Sequence, residues 1–144
     1  MLDGLFGAAN LAAITGWIAL GVAAFLPAAR PLLWRYAGTL LPVALGLAYL
    51  GLIAAFWFRS GGGFSSLADV RLLFDMPGLL LAGWIHYLAF DLLVGAWIAR
   101  QAATAGVPAV LLLPCLGLTF LFGPAGYLLF LAIRAARAPQ LAEA

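Results

Sequence analysis

The chain contains no lysine, one histidine, one cysteine and only 8% charged residues in 144. Each shortage excludes something. With Cys115 alone there is no intrachain disulfide and no cysteine cluster, and its apolar surroundings read as those of a buried, inert thiol. His86 alone rules out a conventional multi-histidine metal site, and no dinucleotide fingerprint occurs, so neither a metal nor a cofactor is expected. The amino end carries Asp3 where a secretory leader needs Lys or Arg, so the first apolar run is read as a retained span. Scarcity of charge excludes a soluble domain, which is typically about a quarter charged.

What the chain has instead is apolar bulk. Hydrophobic residues make up 67% and the mean hydropathy is +1.15, the composition of an integral membrane protein. All seven basic residues are arginines placed singly at the ends of apolar runs, as interfacial anchors and not as a nucleic-acid surface. The expected fold is all-α: a single membrane domain, residues 1–144, built as a four-transmembrane-helix bundle with a short surface segment between helices 2 and 3.

Spans are predicted over about 5–26, 36–58, 78–99 and 107–133, each long enough to cross ~30 Å of hydrocarbon. Asn10 interrupts the first, where it either ties helices together or serves a site, with Ile14, Trp17 and Gly21 on its face. Pro42 predicts a bend near Gly38 in the second, and Tyr49 and Trp57 read as membrane-belt or packing aromatics. Between spans 2 and 3, Gly61-Gly62-Gly63 predicts a flexible or lid-like connection. Ser65 or Ser66 would cap an amphipathic turn over Leu67 to Phe74 on the membrane surface. Asp75 is placed to cap the third span and complement its dipole, or to serve chemistry.

The third span holds the main functional clue. His86 and Asp91 lie near its middle, and a carboxylate there costs about 2.5 to 3.5 kcal/mol on insertion scales, so it needs a partner or a use. Five residues apart, they stand about 140° apart around a helix, which disfavours a shared metal. Trp84, Tyr87 and Asp91 do share a face, and the Tyr87 hydroxyl is the nearest intrahelical group to the carboxylate. A helix with polar groups on two faces sits inside the bundle, either with one group toward each neighbour or with both lining a cavity. In the last span, Gly123-Pro124-Ala125-Gly126 marks a helix break, and Thr119 bonds back onto its own helix or across to another. The tail from Ala138 is expected to be mobile. Four spans place both termini on one side, with cytoplasmic termini mildly favoured on an arginine balance of four against three.

The segments Gly61-Gly62-Gly63-Phe64-Ser65-Ser66, Trp84-Ile85-His86-Tyr87-Leu88-Ala89-Phe90-Asp91-Leu92 and Leu118-Thr119-Phe120-Leu121-Phe122-Gly123-Pro124, with Leu5-Phe6-Gly7-Ala8-Ala9-Asn10 before them, resemble the neoxanthin-synthase-like, or abscisic-acid-deficient-four-like, family. The resemblance spans most of the chain. The plant branch of that family is implicated in converting violaxanthin to neoxanthin, so it implies a carotenoid or related isoprenoid as ligand and a redox-neutral isomerisation. Opening a 5,6-epoxide to an allene delivers a proton to the epoxide oxygen and removes one from a nearby polyene carbon. On this reading His86 and Asp91 form the acid–base pair, with Asn10, Asp75, Tyr87, Trp84 and Thr119 orienting them or the substrate. The alternatives are a carrier that only holds the lipid and an assembly subunit using the same polar residues between protomers, as a homo-oligomer would. The lysine-free, Ala-, Leu- and Arg-rich composition points to a bacterial inner membrane.

Overall fold

A computed structural model describes residues 1–142. Helix α1 (Leu2–Phe25) is followed by a 3₁₀ turn and α2 (Arg30–Arg35), which runs on through a π-helical turn (Tyr36–Leu40) into α3 (Leu41–Phe56). The surface helix α4 (Leu67–Phe74), the long α5 (Pro77–Thr104), α6 (Ala109–Phe122) and α7 (Pro124–Ala142) complete the chain. Three apolar helices are long enough to cross a membrane: Leu2–Phe25, the continuous stretch Pro27–Arg59, and Pro77–Thr104. The second therefore begins well before the expected Tyr36.

Helix α5 is the axis of the bundle. Half of its most apolar window is buried, against 33% for α1 and 17% for the 27–59 stretch, because α1, α3 and α6 all pack on it. Lipid tails are as apolar as leucine, so close backbone approach must replace hydrophobic drive. Small residues supply it: Ala9, Ala13, Gly16 and Ala23 form the buried stripe of α1, and a Cβ at Gly38 would stand 2.7 Å from that of Ala96. The opposite faces carry exposed Leu11, Leu47 and Val110, as a lipid-facing surface should. Asn10 lies beside the packed stripe of α1, and Ile14, on its expected face, is exposed.

The disturbance expected from Pro42 is the π turn itself. Proline lacks the N–H that would bond the Gly38 carbonyl, and the helix loosens over Tyr36–Leu40. There the Tyr36 hydroxyl meets Thr15 Oγ1 at 2.8 Å across the bundle. In the connection, Ser66 caps α4 as expected, its Oγ accepting from the Asp69 N–H at 3.1 Å. The glycine triplet folds back on that helix: the Gly63 N–H bonds the Asp69 carbonyl, and a Cβ at Gly62 would collide with the α4 backbone.

The fourth apolar run departs most from expectation, because it is two helices. At Gly123 the backbone takes φ +47°, a conformation that suits glycine, and Pro124 then starts α7. A Cβ on Gly126 would strike the backbone of Cys115 and Thr119, so α7 lies folded back along α6. The Arg137 guanidinium reaches the Gly106 carbonyl at 3.5 Å, beside the start of α6, while Trp97 packs on Tyr127 and Phe130. Residues 107–133 thus form a helical hairpin whose two ends lie at one end of the bundle. Its turn stands level with the midpoint of α5. The two termini consequently lie at opposite ends, which corrects the expectation that they share a side. Helix α7 continues through Ala142 into the segment expected to be a mobile tail; residues 143–144 lie outside the described part.

Candidate functional site

Helix α5 presents its polar side chains to two different neighbours. On one face, Trp84 stacks on Tyr87, with centroids 5.4 Å apart, and its Nε1–H donates to Asn10 Oδ1 at 3.2 Å. The Asn10 amide also donates to the Phe6 carbonyl at 2.7 Å, which fixes its orientation on α1. The Tyr87 hydroxyl donates to the Leu121 carbonyl at 3.1 Å, and the Phe120 carbonyl lies 3.4 Å away. One turn on, the Asp91 carboxyl faces Gly123, so closely that a Cβ there would stand 2.8 Å from Oδ1. Asp91 Oδ2 is buried without a partner among the described residues.

This face has a structural reason to be polar. A helix end leaves backbone groups unsatisfied, and within a membrane, which the apolar helices around it are long enough to span, no bulk water would complete them. The α6–α7 turn creates such an end next to α5, and Tyr87 closes off its carbonyls. Tyr87→Phe should therefore lower stability by ~1–2 kcal/mol, the cost of leaving the Leu121 carbonyl unpaired, measured as reversible unfolding in detergent against the unmodified chain. Unchanged stability would mean the carbonyl finds another donor.

His86 lies on the other face, toward α3. Its ring stacks on Phe90 at 4.4 Å and 13°, and meets Tyr49 at 5.6 Å. It forms one wall of a cleft of about 290 Å³ whose other walls include Tyr49, Ile53, Trp57, Phe64 and Phe74. The cleft is roofed by α4 and the loop before it, so the surface segment contributes to a site and does not merely join two spans. His86 itself is exposed within it.

The structure thus gathers Asn10, Trp84, Tyr87 and Asp91 on one side of α5 and leaves His86 on the other. The shared face of Trp84, Tyr87 and Asp91 is as expected. The expected pairing of His86 with Asp91 around one ligand position is not what the geometry provides: the body of α5 stands between their surroundings, a consequence of the five-residue spacing. Asp75 is exposed at the end of α4, its N–H bonding the Arg71 carbonyl, while the N-cap position of α5 falls to Met76 without a side-chain bond. It therefore does not cap the third span. Thr119 is fully buried and donates to the Cys115 carbonyl at 2.8 Å, the bond back onto its own helix, under the crossing with Gly126.

The aromatic cleft was missed in the sequence as a site. Its signal was present: Tyr49, Ile53 and Trp57 recur at helical spacing and stripe one face of the second span. Distributing them to a membrane belt hid their convergence on His86. Among the described residues, no group of three or more His, Cys, Asp and Glu is placed to hold a metal ion.

Comparison with curated proteins and with solved structures found no match in either. A family model does match, over residues 4–130, which takes in all but the first residues of the three helices long enough to cross a membrane, the cleft and the hairpin turn. The chain belongs to the ABA DEFICIENT 4-like family.

Proposed function

We propose that this protein is a membrane isomerase that holds one end of a carotenoid-like isoprenoid in the aromatic cleft and moves a proton on it through His86. The observation that carries the reading is the position of the chain's only histidine on the wall of that cleft. About 290 Å³ lies near the lower end of ligand-pocket volumes, so the cleft suits one end ring and leaves the polyene along the lipid-facing surface. A ring bearing an oxygen would sit under the surface helix α4, where a polar end group is least costly.

The reaction implied by the family's neoxanthin-synthase-like character is redox-neutral. A base takes a proton from the polyene carbon beside the ring; the electron pair forms the cumulated double bond; the carbon–oxygen bond of the epoxide breaks; and the oxygen receives a proton. One imidazole can accept the first proton and deliver the second, so His86 can serve without a carboxylate partner. The test is to express the protein in a host that makes a carotenoid epoxide and to extract the lipids bound to the purified chain. A product isomer found with the unmodified protein and absent with His86→Ala supports the enzyme. The same unaltered pigment bound by both would favour the carrier reading, and no bound isoprenoid would overturn both.

The proposed location is an inner membrane of a bacterium, with the arginine-rich end in the cytoplasm. Because the hairpin returns, Arg134 and Arg137 join Arg30, Arg35 and Arg100 at that end, and Arg59 and Arg71 remain at the other. Five against two predicts a cytoplasmic carboxyl end and an amino end across the membrane, reversing the preference for a cytoplasmic amino terminus. Reporter fusions check this: one active only in the cytoplasm should work after Arg137 and fail before Leu2, and the opposite pattern would overturn it.

A further inference from the structure

We propose that Phe90 is a positioning residue for His86: its ring holds the imidazole in one plane and stabilises the imidazolium that forms when the base takes its proton. The inference rests on the reading of His86 as the group that moves the proton. It adds a second residue, outside the cleft, that acts only through the first.

The surroundings of the imidazole motivate this role. The His86 and Phe90 rings, one helical turn apart on α5, are nearly parallel at 13°, with centroids 4.4 Å apart. Tyr49, on α3, meets the imidazole at 5.6 Å and 58°. Among the described residues, no protein group hydrogen-bonds either imidazole nitrogen. A functional histidine is ordinarily oriented by a hydrogen bond at one nitrogen. Here the orienting contacts are aromatic, and stacking fixes the ring plane without occupying either nitrogen. Phe90 is not among the walls of the cleft, so a change in its ring reaches the ligand through the imidazole.

The reaction gives the stack a task. When the neutral imidazole takes the proton from the polyene carbon, the C–H electron pair becomes the new double bond. The carbon–oxygen bond of the epoxide breaks with its pair going to oxygen, which leaves an imidazolium beside an alkoxide. Return of that proton to the alkoxide restores the neutral ring, so the charge on His86 is transient and no further reactant is consumed. A charge in an apolar cleft is costly unless it is compensated. A carboxylate would be the usual partner, but Asp91 faces the hairpin turn. The face of a phenyl ring carries the negative part of its quadrupole and attracts a cation within ~6 Å of its centroid. The 4.4 Å stack places the imidazolium inside that range. The attraction grows as charge develops, so it lowers the barrier and does not merely tighten the resting site.

The test replaces Phe90 in the full-length protein by phenylalanine carrying one, two or three ring fluorines, introduced through a reassigned codon. Product formed per bound carotenoid epoxide, pigment bound per protein and melting in detergent are measured together. Fluorine draws charge from the ring face with little change of shape, so a packing role alone would leave turnover flat. Turnover is expected to fall stepwise, by about 3- to 30-fold at three fluorines, while bound pigment and melting hold. Phe90→Leu should lose a similar factor. Phe90→Tyr keeps the π face, has room for its hydroxyl at a position 55% exposed, and should retain turnover. Flat turnover across the fluorinated series, with His86→Ala inactive, would overturn the role of Phe90 and leave that of His86 standing. Product from His86→Ala, or none from the unmodified protein, would overturn the reading on which the inference rests, and the inference with it. A second measurement needs no turnover: as the chain has one histidine, its ring-proton resonances are assigned at once. The stack should shift them upfield and Phe90→Leu should remove that shift; unchanged resonances would overturn the stack.

Discussion

Replacing His86 by alanine is expected to lower isomerisation of a carotenoid 5,6-epoxide by about 10²- to 10⁴-fold, the range associated with loss of a positioned general acid–base group. The effect should fall on turnover and not on pigment content. The cleft keeps Tyr49, Trp57, Phe64 and Phe74 when the imidazole is removed, so the apolar end of the ligand retains most of its contacts. Pigment bound per protein and product formed per protein, measured on the same preparations, separate the two. Asp91→Asn supplies the contrast: it alters the hairpin side of α5 and leaves the cleft intact, so turnover per folded molecule should persist. Equal losses in both variants would instead make His86 and Asp91 members of one site.

Gly126→Val is expected to be among the most damaging single changes outside the cleft. The side chain would have to occupy space already filled by the Thr119 hydroxyl, the Thr119 amide and the Cys115 carbonyl. Two of those three atoms are helix backbone, which cannot move aside as a flexible side chain can. Overpacking of an ordinary core costs ~1–3 kcal/mol, and here relief requires α7 to swing away from α6, so the loss should lie at or above the top of that range. Unfolding in detergent would report it. A cysteine pair at Gly106 and Arg137, where the hairpin ends meet, provides a second readout, because crosslinking should fall as the helices part. Wild-type melting together with wild-type crosslinking would mean that α6 and α7 are not packed as a hairpin.

The hairpin also recasts what intramembrane polarity means in this chain. Asp91 drew attention as a costly carboxylate in an apolar span, and such groups are functional candidates by default. Its surroundings place it with Tyr87 beside the turn between α6 and α7, level with the midpoint of α5. Histidine is a weaker signal than a carboxylate in a span, and Tyr49 and Trp57 looked like ordinary belt residues. Yet it is the histidine that lines the aromatic cleft.

Much was determined by the amino-acid sequence alone. Composition and run length pointed to an all-helical chain with apolar helices able to span a membrane, since backbone groups in hydrocarbon must be satisfied within each segment. Local chemistry placed the Ser66 cap, the disturbance ahead of Pro42 and the break at Gly123-Pro124. Helical periodicity put Trp84, Tyr87 and Asp91 on one face. Tertiary structure decided everything that depended on the path after the break. A run of 27 apolar residues can cross a membrane once or enter and return, and both satisfy the same hydropathy. The choice lay in how Gly126 meets Thr119, a contact between helices that no periodicity within one helix encodes. That choice set which end carries the arginines, where the termini lie and which neighbour Asp91 faces. It left His86 alone with the aromatic cleft, because partners on α3 and the α4 segment are brought to it only when the helices pack.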